Sequence, residues 1–206
     1  ANIAIEQILV RDFYSVIIFA SGKILRWGSL NKDVQLKPEL VRNLDLASIV
    51  SGTDSTIYAV NPNGEFYQWG LNATTTTSTS ISSPVLVHKL SEPVKKLAAA
   101  KGIAFVLTKS NLYCVGNNTY LPCSYSVRPF HICYTYLDCS KILDIAAGHN
   151  HLLVLTSNGT VFSMGSNDHG QLGIPTKLMY SIEPLQIRLT QVTNITSGPN
   201  HAFAIT

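Results

Sequence analysis

Charge is scarce in this chain. Only 13% of its 206 residues are Asp, Glu, Lys or Arg, about half the ~25% usual in a soluble domain. The formal net charge is +3, and no run of Lys or Arg is longer than the pair Lys95-Lys96. That excludes the basic stripe on which a nucleic-acid binder relies. Long apolar runs are also missing. Runs such as 16–20 and 152–155 are strand-sized, far below the ~20 residues a helix needs to cross a bilayer. No charged segment leads into an apolar one at the N-terminus, so no signal peptide is read. The first residue is Ala rather than Met, and the expectation is a fragment or processed piece of a longer protein.

Cysteine is sparse too: Cys114, Cys123, Cys133 and Cys139. No C-x-x-C spacing occurs among them, so no zinc site is expected, and four cysteines allow three pairings. Four N-x-[S/T] sequons begin at Asn72, Asn117, Asn158 and Asn194, a number the abundance of Asn and Thr explains. The chain has no Gly-x-Ser-x-Gly elbow and no P-loop. No paired carboxylates recur in a repeated setting. These absences point away from an enzyme, and no cofactor is expected.

Apolar residues make up 46% of the chain, enough for a large core, and their arrangement is periodic. In 148–165 an apolar run leads to Asn158-Gly159 and a second apolar run follows, ending at Gly165. Asn-Gly between two such runs is a strong hairpin signal and predicts a type I′ turn, with positive φ at both central residues. The unit recurs around Asn63-Gly64, closing at Gly70, and around Ser21-Gly22, closing at Gly28. A degenerate copy closes at Gly116, with Ser110-Asn111 in place of the turn glycine; Asn tolerates the left-handed region. A further half-copy, 198–206, matches 148–156 in its Gly, His and Thr. An Asn stands two places beyond three of the closing glycines, at Asn72, Asn118 and Asn167. The closing glycines are 42, 46 and 49 residues apart. A period in the forties with hairpins inside it means propeller blades or a similar β array.

The predicted fold is therefore all-β. It is a single β-propeller domain over 1–206, with repeats near 7–30, 49–73, 95–118, 142–173 and a partial one at 191–206. Residues 74–83 are a Thr/Ser tract and read as a surface loop. Residues 120–140, rich in Cys and Tyr, read as an irregular insertion.

One run carries a family resemblance. Gly148-x-x-His151, Asn158-Gly159, then Met164-Gly165-x-Asn167-x-x-Gly170-Gln171-Leu172-Gly173 resembles the RCC1 (regulator of chromosome condensation) repeat. Trp27-Gly28 and Trp69-Gly70 match the Trp-Gly that usually ends its second hairpin strand. The repeat lacks the Trp-Asp of WD40 blades and the paired glycine of kelch blades. Family members usually close with about seven blades, within the range propellers adopt, whereas four repeats and a half are counted here. The resemblance implies a disc that works by binding another protein. Its founding member is a nucleotide-exchange factor for the small GTPase Ran, so a Ran-like GTPase is the implied partner, with exchange as the implied activity. The alternative is a non-catalytic scaffold or inhibitor, including a bacterial effector acting on host proteins. Cytoplasmic or nuclear residence goes with the first; secretion or delivery into a host cell goes with the second. No nucleic-acid partner and no membrane insertion are expected.

Six residues are candidates for the partner surface. Asp54 and Asp168 occupy loops whose counterparts in the founding member carry acidic residues facing the GTPase, and His169 adjoins Asp168. The competing reading of each Asp is a turn residue that caps backbone amides. Arg128, Tyr134 and Tyr136 belong to the 120–140 segment, where Tyr and Arg have the composition of interface hot spots. His149 and His151 stand two apart, so on a strand they would share a face and could hold a metal. Against that, the Gly-x-x-His position recurs at His201 with no second His, which favours packing. Trp27, Trp69 and Met164 precede closing glycines and are expected to plug the space between blades.

Overall fold

The computed structural model of the chain describes residues 4–30, 33–42, 44, 49–53, 55–71, 80–123, 126–132, 137–175 and 177–206. Strands run β1 (Ile5–Val10), β2 (Tyr14–Phe19), β3 (Ile24–Leu30) and β4 (Asp33–Leu40) in the first sheet. The second holds β5 (Ile49–Gly52), β6 (Thr56–Val60), β7 (Glu65–Leu71) and β8 (Ser80–Lys89). The third holds β9 (Val94–Ala100), β10 (Ile103–Thr108), β11 (Leu112–Gly116) and β12 (Ser126–His131). The fourth holds β13 (Ile142–Ala147), β14 (His151–Thr156), β15 (Val161–Ser166) and β16 (Tyr180–Gln186). A two-stranded sheet, β17 (Asn194–Ser197) and β18 (Ala202–Ile205), ends the chain. Each four-stranded sheet is an antiparallel meander, one propeller blade. The first strands of successive blades are neighbours, from β1 to β5, β9, β13 and β17.

The structure revises two segments. Within 120–140, Ser126–His131 is the fourth strand of the third blade, paired with β11. The Thr/Ser tract likewise ends in strand, because β8 starts at Ser80; residues 74–79 lie outside the described residues.

The hairpin turns fall where the sequence placed them, but their type differs. Gly159 has φ 78°, whereas Ser157 and Asn158 keep negative φ. Gly159 N–H donates to the Thr156 carbonyl at 3.0 Å, and Thr156 N–H to the Thr160 carbonyl at 2.9 Å. This is a type I turn followed by a left-handed glycine, the three-residue hairpin loop, rather than a type I′ turn. Gly22 and Gly64 repeat the pattern. At the third hairpin no left-handed residue is needed, and Asn111 keeps negative φ. Glu92 holds this turn from the preceding connection, accepting from Ser110 Oγ and Asn111 Nδ2, both at 2.7 Å.

Packing is blade on blade. β2 alternates buried and half-buried residues, while β10 and β14 are buried throughout, each lying between two neighbouring blades. A strand covered on both faces has no reason to alternate. Four apolar clusters fill the successive junctions, from Val16 and Ile57 to Leu153 and Ile195. Trp69 and Met164 plug such junctions, whereas Trp27 is only half-buried.

Candidate functional site

The meander dictates where loops can meet. Connections from first to second strand and from third to fourth strand all leave a blade at one end; the hairpin turns leave at the other. The first-strand ends also converge, since Arg11, Thr53, Ala99, His149 and Pro199 line one axial cavity of about 350 Å³. This loop-bearing end is the candidate interface.

Its geometry is built on the closing glycines. Gly28, Gly70, Gly116 and Gly165 have φ between 94° and 115°. A Cβ there would stand 2.2–2.3 Å from a backbone carbonyl oxygen of the neighbouring loop. Only glycine combines that φ with that approach. Opposite them in register stand Tyr14, Thr56, Ile103 and His151. Counting three residues on from Gly52, as from Gly148 to His151, leads to Ser55, but the residue in the His position of the second blade is Thr56.

These opposing residues reach the next blade. Tyr14 Oη donates to the Thr53 carbonyl at 2.5 Å, and His151 Nε2 lies 2.8 Å from Ser197 Oγ. Burial pushes the His151 pKa down to about 4, so at neutral pH the ring is uncharged. His149 lies in the loop ahead of β14, its N–H bonded to the Pro199 carbonyl at 2.9 Å. The two rings therefore do not share a strand face. Among the described residues, no three His, Cys, Asp or Glu gather as a metal site would require.

In the fourth blade the Gly-Gln-Leu-Gly segment caps the loop. Ser163 Oγ donates to the Leu172 carbonyl at 2.8 Å, and Leu172 N–H donates to Asn167 Oδ1 at 3.2 Å. Gln171 accepts from His169 N–H at 2.8 Å and donates to Ser166 Oγ at 3.2 Å. Asn167, not Asp168, does the capping. Asp168 and His169 are exposed, and the Asp168 carboxylate has no hydrogen-bond or ion-pair partner among the described residues.

The same loop of the third blade is fastened differently. Cys114 stands two residues before closing Gly116 and Cys123 seven beyond it, as Ser163 and Leu172 stand to Gly165. These cysteines form a disulfide, with Cα atoms 6.1 Å apart. It is buried, at 0% and 1% exposure. In the first blade Arg26, again two before the closing glycine, pairs with Asp33 at 2.5 Å. One position in three blades therefore anchors the loop side of its blade, by a hydroxyl, a disulfide or a guanidinium. Cys139 is disulfide-bonded as well.

Asp54, Tyr134 and Tyr136 lie outside the described residues. Arg128 is on β12, and its side chain lies outside them too. Further residues reach this end: Lys101, Asn118, Tyr120 and Asn150 line a cavity of about 540 Å³. Asn118 recurs two places beyond a closing glycine, the one signal that marked it; Lys101-Gly102 is too short a loop to show the repeat's Gly-x-x-His. Among the described residues, no helix is long and apolar enough to cross a membrane.

Residues 142–171 and 158–205 match the regulator of chromosome condensation (RCC1) repeat. The human E3 ubiquitin-protein ligase HERC2 is 27% identical over 93% of the chain and 4% of its own length. The secretion-regulating guanine nucleotide exchange factor of Bos taurus is 33% identical over 120 residues, 55% of the chain and 26% of its own length. Among solved structures, human WBSCR16 superposes with a TM-score of 0.83 at 19% identity, covering 98% of the chain and 59% of WBSCR16. Prp20p of Saccharomyces cerevisiae gives 0.81 at 16% identity, covering 99% and 56%. The chain thus spans less than two thirds of each of these proteins. The blade period, the closing glycines and the Gly-Gln-Leu-Gly cap agree with these likenesses: residues 142–205 match the RCC1 repeat, and the chain has the β-propeller fold of these structures.

Proposed function

We propose that this chain is a protein-binding propeller whose loop-bearing end docks a Ran-like small GTPase and promotes nucleotide exchange. The observation that carries the reading is the exposed Asp168, a carboxylate that caps nothing in its own loop. The bland role of a turn Asp belongs instead to Asn167. Asp54 and His169 are assigned to the same surface, and Arg128, Tyr134 and Tyr136 to a secondary contact. Two relatives support the partner class: one is a guanine nucleotide exchange factor, and Prp20p has binding properties to Gsp1p and histones.

Exchange of this kind needs no reacting side chain. The propeller has only to bind the nucleotide-free GTPase more tightly than the loaded one. The test is release of a fluorescent guanine nucleotide from a panel of small GTPases. Accelerated release by this chain is expected; absence of both release and binding across the panel refutes the GTPase assignment. Cytoplasmic or nuclear residence goes with it.

A second reading has its own support. Cys114, Cys123 and Cys139 are all disulfide-bonded, and disulfides persist mainly in oxidising compartments. That favours a scaffold or inhibitor module that is secreted or delivered into another cell.

A further inference from the structure

The third blade presents a loop held more firmly than its repeat requires. Asn118 Nδ2 donates to the Lys101 carbonyl at 2.7 Å and to Asn150 Oδ1 at 3.1 Å. Its Oδ1 accepts from Tyr120 N–H at 2.9 Å. Lys101 N–H in turn donates to the His149 carbonyl at 2.8 Å. Tyr120 packs edge-on against Tyr180 of the fourth blade, with ring centroids 6.0 Å apart. The Cys114–Cys123 disulfide closes the base of this loop. Three blades therefore contribute to one fixed cavity, lined by Ser55, Lys101, Asn118, Thr119, Tyr120 and Asn150.

The chemistry of that lining is one-sided. Lys101 is the only charged residue among the described lining residues, and no carboxylate accompanies it. Its side chain is exposed and enters no ion pair among the described residues. Asn150, whose Oδ1 is engaged by Asn118, keeps its Nδ2 donor, and Thr119 adds an exposed hydroxyl. A site with ammonium, amide and hydroxyl donors calls for an acceptor-only group, and an ionised carboxylate is that group. A single cation balances one carboxylate and leaves a doubly charged phosphate half-neutralised, with no Arg fork to grip it.

We propose that this cavity receives an acidic side chain of a protein partner, and that the Cys114–Cys123 disulfide holds the receiving loop in place. The proposal rests on the reading of the loop-bearing end as the partner surface, and extends it to a site on the third blade. The disulfide substitutes for the Ser163–Leu172 hydrogen bond of the fourth blade, so reduction removes the tie between β11 and the far end of the loop and leaves the Asn118 bonds to hold it alone.

The experiment is a two-dimensional NMR titration of the intact chain with a hexaglutamate peptide at low ionic strength. Hexalysine and inorganic phosphate serve as comparison probes. Saturable shifts at the amides of Lys101, Asn118, Thr119, Tyr120 and Asn150 are expected with hexaglutamate. Lys101→Gln should weaken that binding by about fivefold, the scale of an exposed ion pair. Reduction with dithiothreitol should weaken it in the wild type. The repaired variant C114S/C123L, which restores the fourth blade's residue types, should bind with or without reductant. Shifts scattered over other lysines, stronger binding of phosphate, or an unchanged affinity in Lys101→Gln would overturn the carboxylate site. Indifference of the wild type to reduction overturns the role of the disulfide. If the double variant does not fold, Lys101→Gln still decides the site. No GTPase is present, so a negative GTPase panel and a negative titration are separate results.

Discussion

Three glycines of the fourth blade, each replaced by Ala, form a graded test of how the loop end is built. Gly170 has φ 74° and nothing within 4 Å of an added Cβ. Its replacement costs only the left-handed conformation, about 1 kcal/mol, lessened slightly because Ala also restricts the unfolded chain. Gly159 has φ 78°, with the Gln191 and Val192 backbones 3.2 Å from an added Cβ. Those neighbours have to give by a few tenths of an ångström, so about 1–2 kcal/mol is expected. Gly165 has φ 110°, and its added Cβ would stand 2.2 Å from the Asn150 carbonyl oxygen and 2.7 Å from His151 Cα. The first distance falls 0.8 Å short of the 3.0 Å that real Cβ contacts respect. Both obstacles are backbone, so a loop and a strand must separate. Adding conformational strain to overpacking gives about 3–5 kcal/mol. Urea titrations of the three variants, followed by tryptophan fluorescence, measure the series. If Gly165→Ala is no more destabilising than Gly170→Ala, the closing glycine does not do what its geometry implies.

Three further outcomes follow from the same geometry. Asp168→Ala should weaken binding to a GTPase that the chain binds by up to a few kcal/mol, while its melting temperature stays within about two degrees; a stability loss with unchanged binding returns Asp168 to an ordinary turn residue. His151 is neutral in the fold because burial lowers its pKa to about 4, whereas the unfolded ring titrates near pH 6.5. The unfolded chain therefore binds the extra proton first, and stability falls as pH drops from about 6.5 towards 4, by at most about 3 kcal/mol from this group. Urea midpoints at pH 7 and pH 5 check this, and a His151→Gln variant with the same slope as wild type refutes it. Tyr14→Phe should cost about 1 kcal/mol by removing the hydrogen bond to the Thr53 carbonyl, read as a lowered urea midpoint; no change would mean water replaces the hydroxyl.

What the sequence determined by itself was the local grammar of the blade. Hairpin turns, closing glycines and the Gly-Gln-Leu-Gly cap depend on residues within about ten of one another, so Asn63-Gly64, Gly70, Gly165 and Asn167 were legible as a repeat. Even there the turn type was misjudged, because Asn-Gly satisfies a type I turn with a left-handed glycine as readily as a type I′ turn. Only the tertiary structure decided what depends on register and on the neighbouring blade. It put Thr56 rather than Ser55 at the His position, because strand pairing with Gly70, not counting from Gly52, sets the alignment. It separated His149 from His151, since β14 begins at His151. It selected Cys114–Cys123 among three possible pairings, because the blade brings a third-strand residue beside the end of its own loop. It also gathered Lys101, Asn118 and Asn150 from two blades and three loops into one cavity. A side chain's chemistry can be read from its letter, but its partners depend on distances that exist only once the blades have packed.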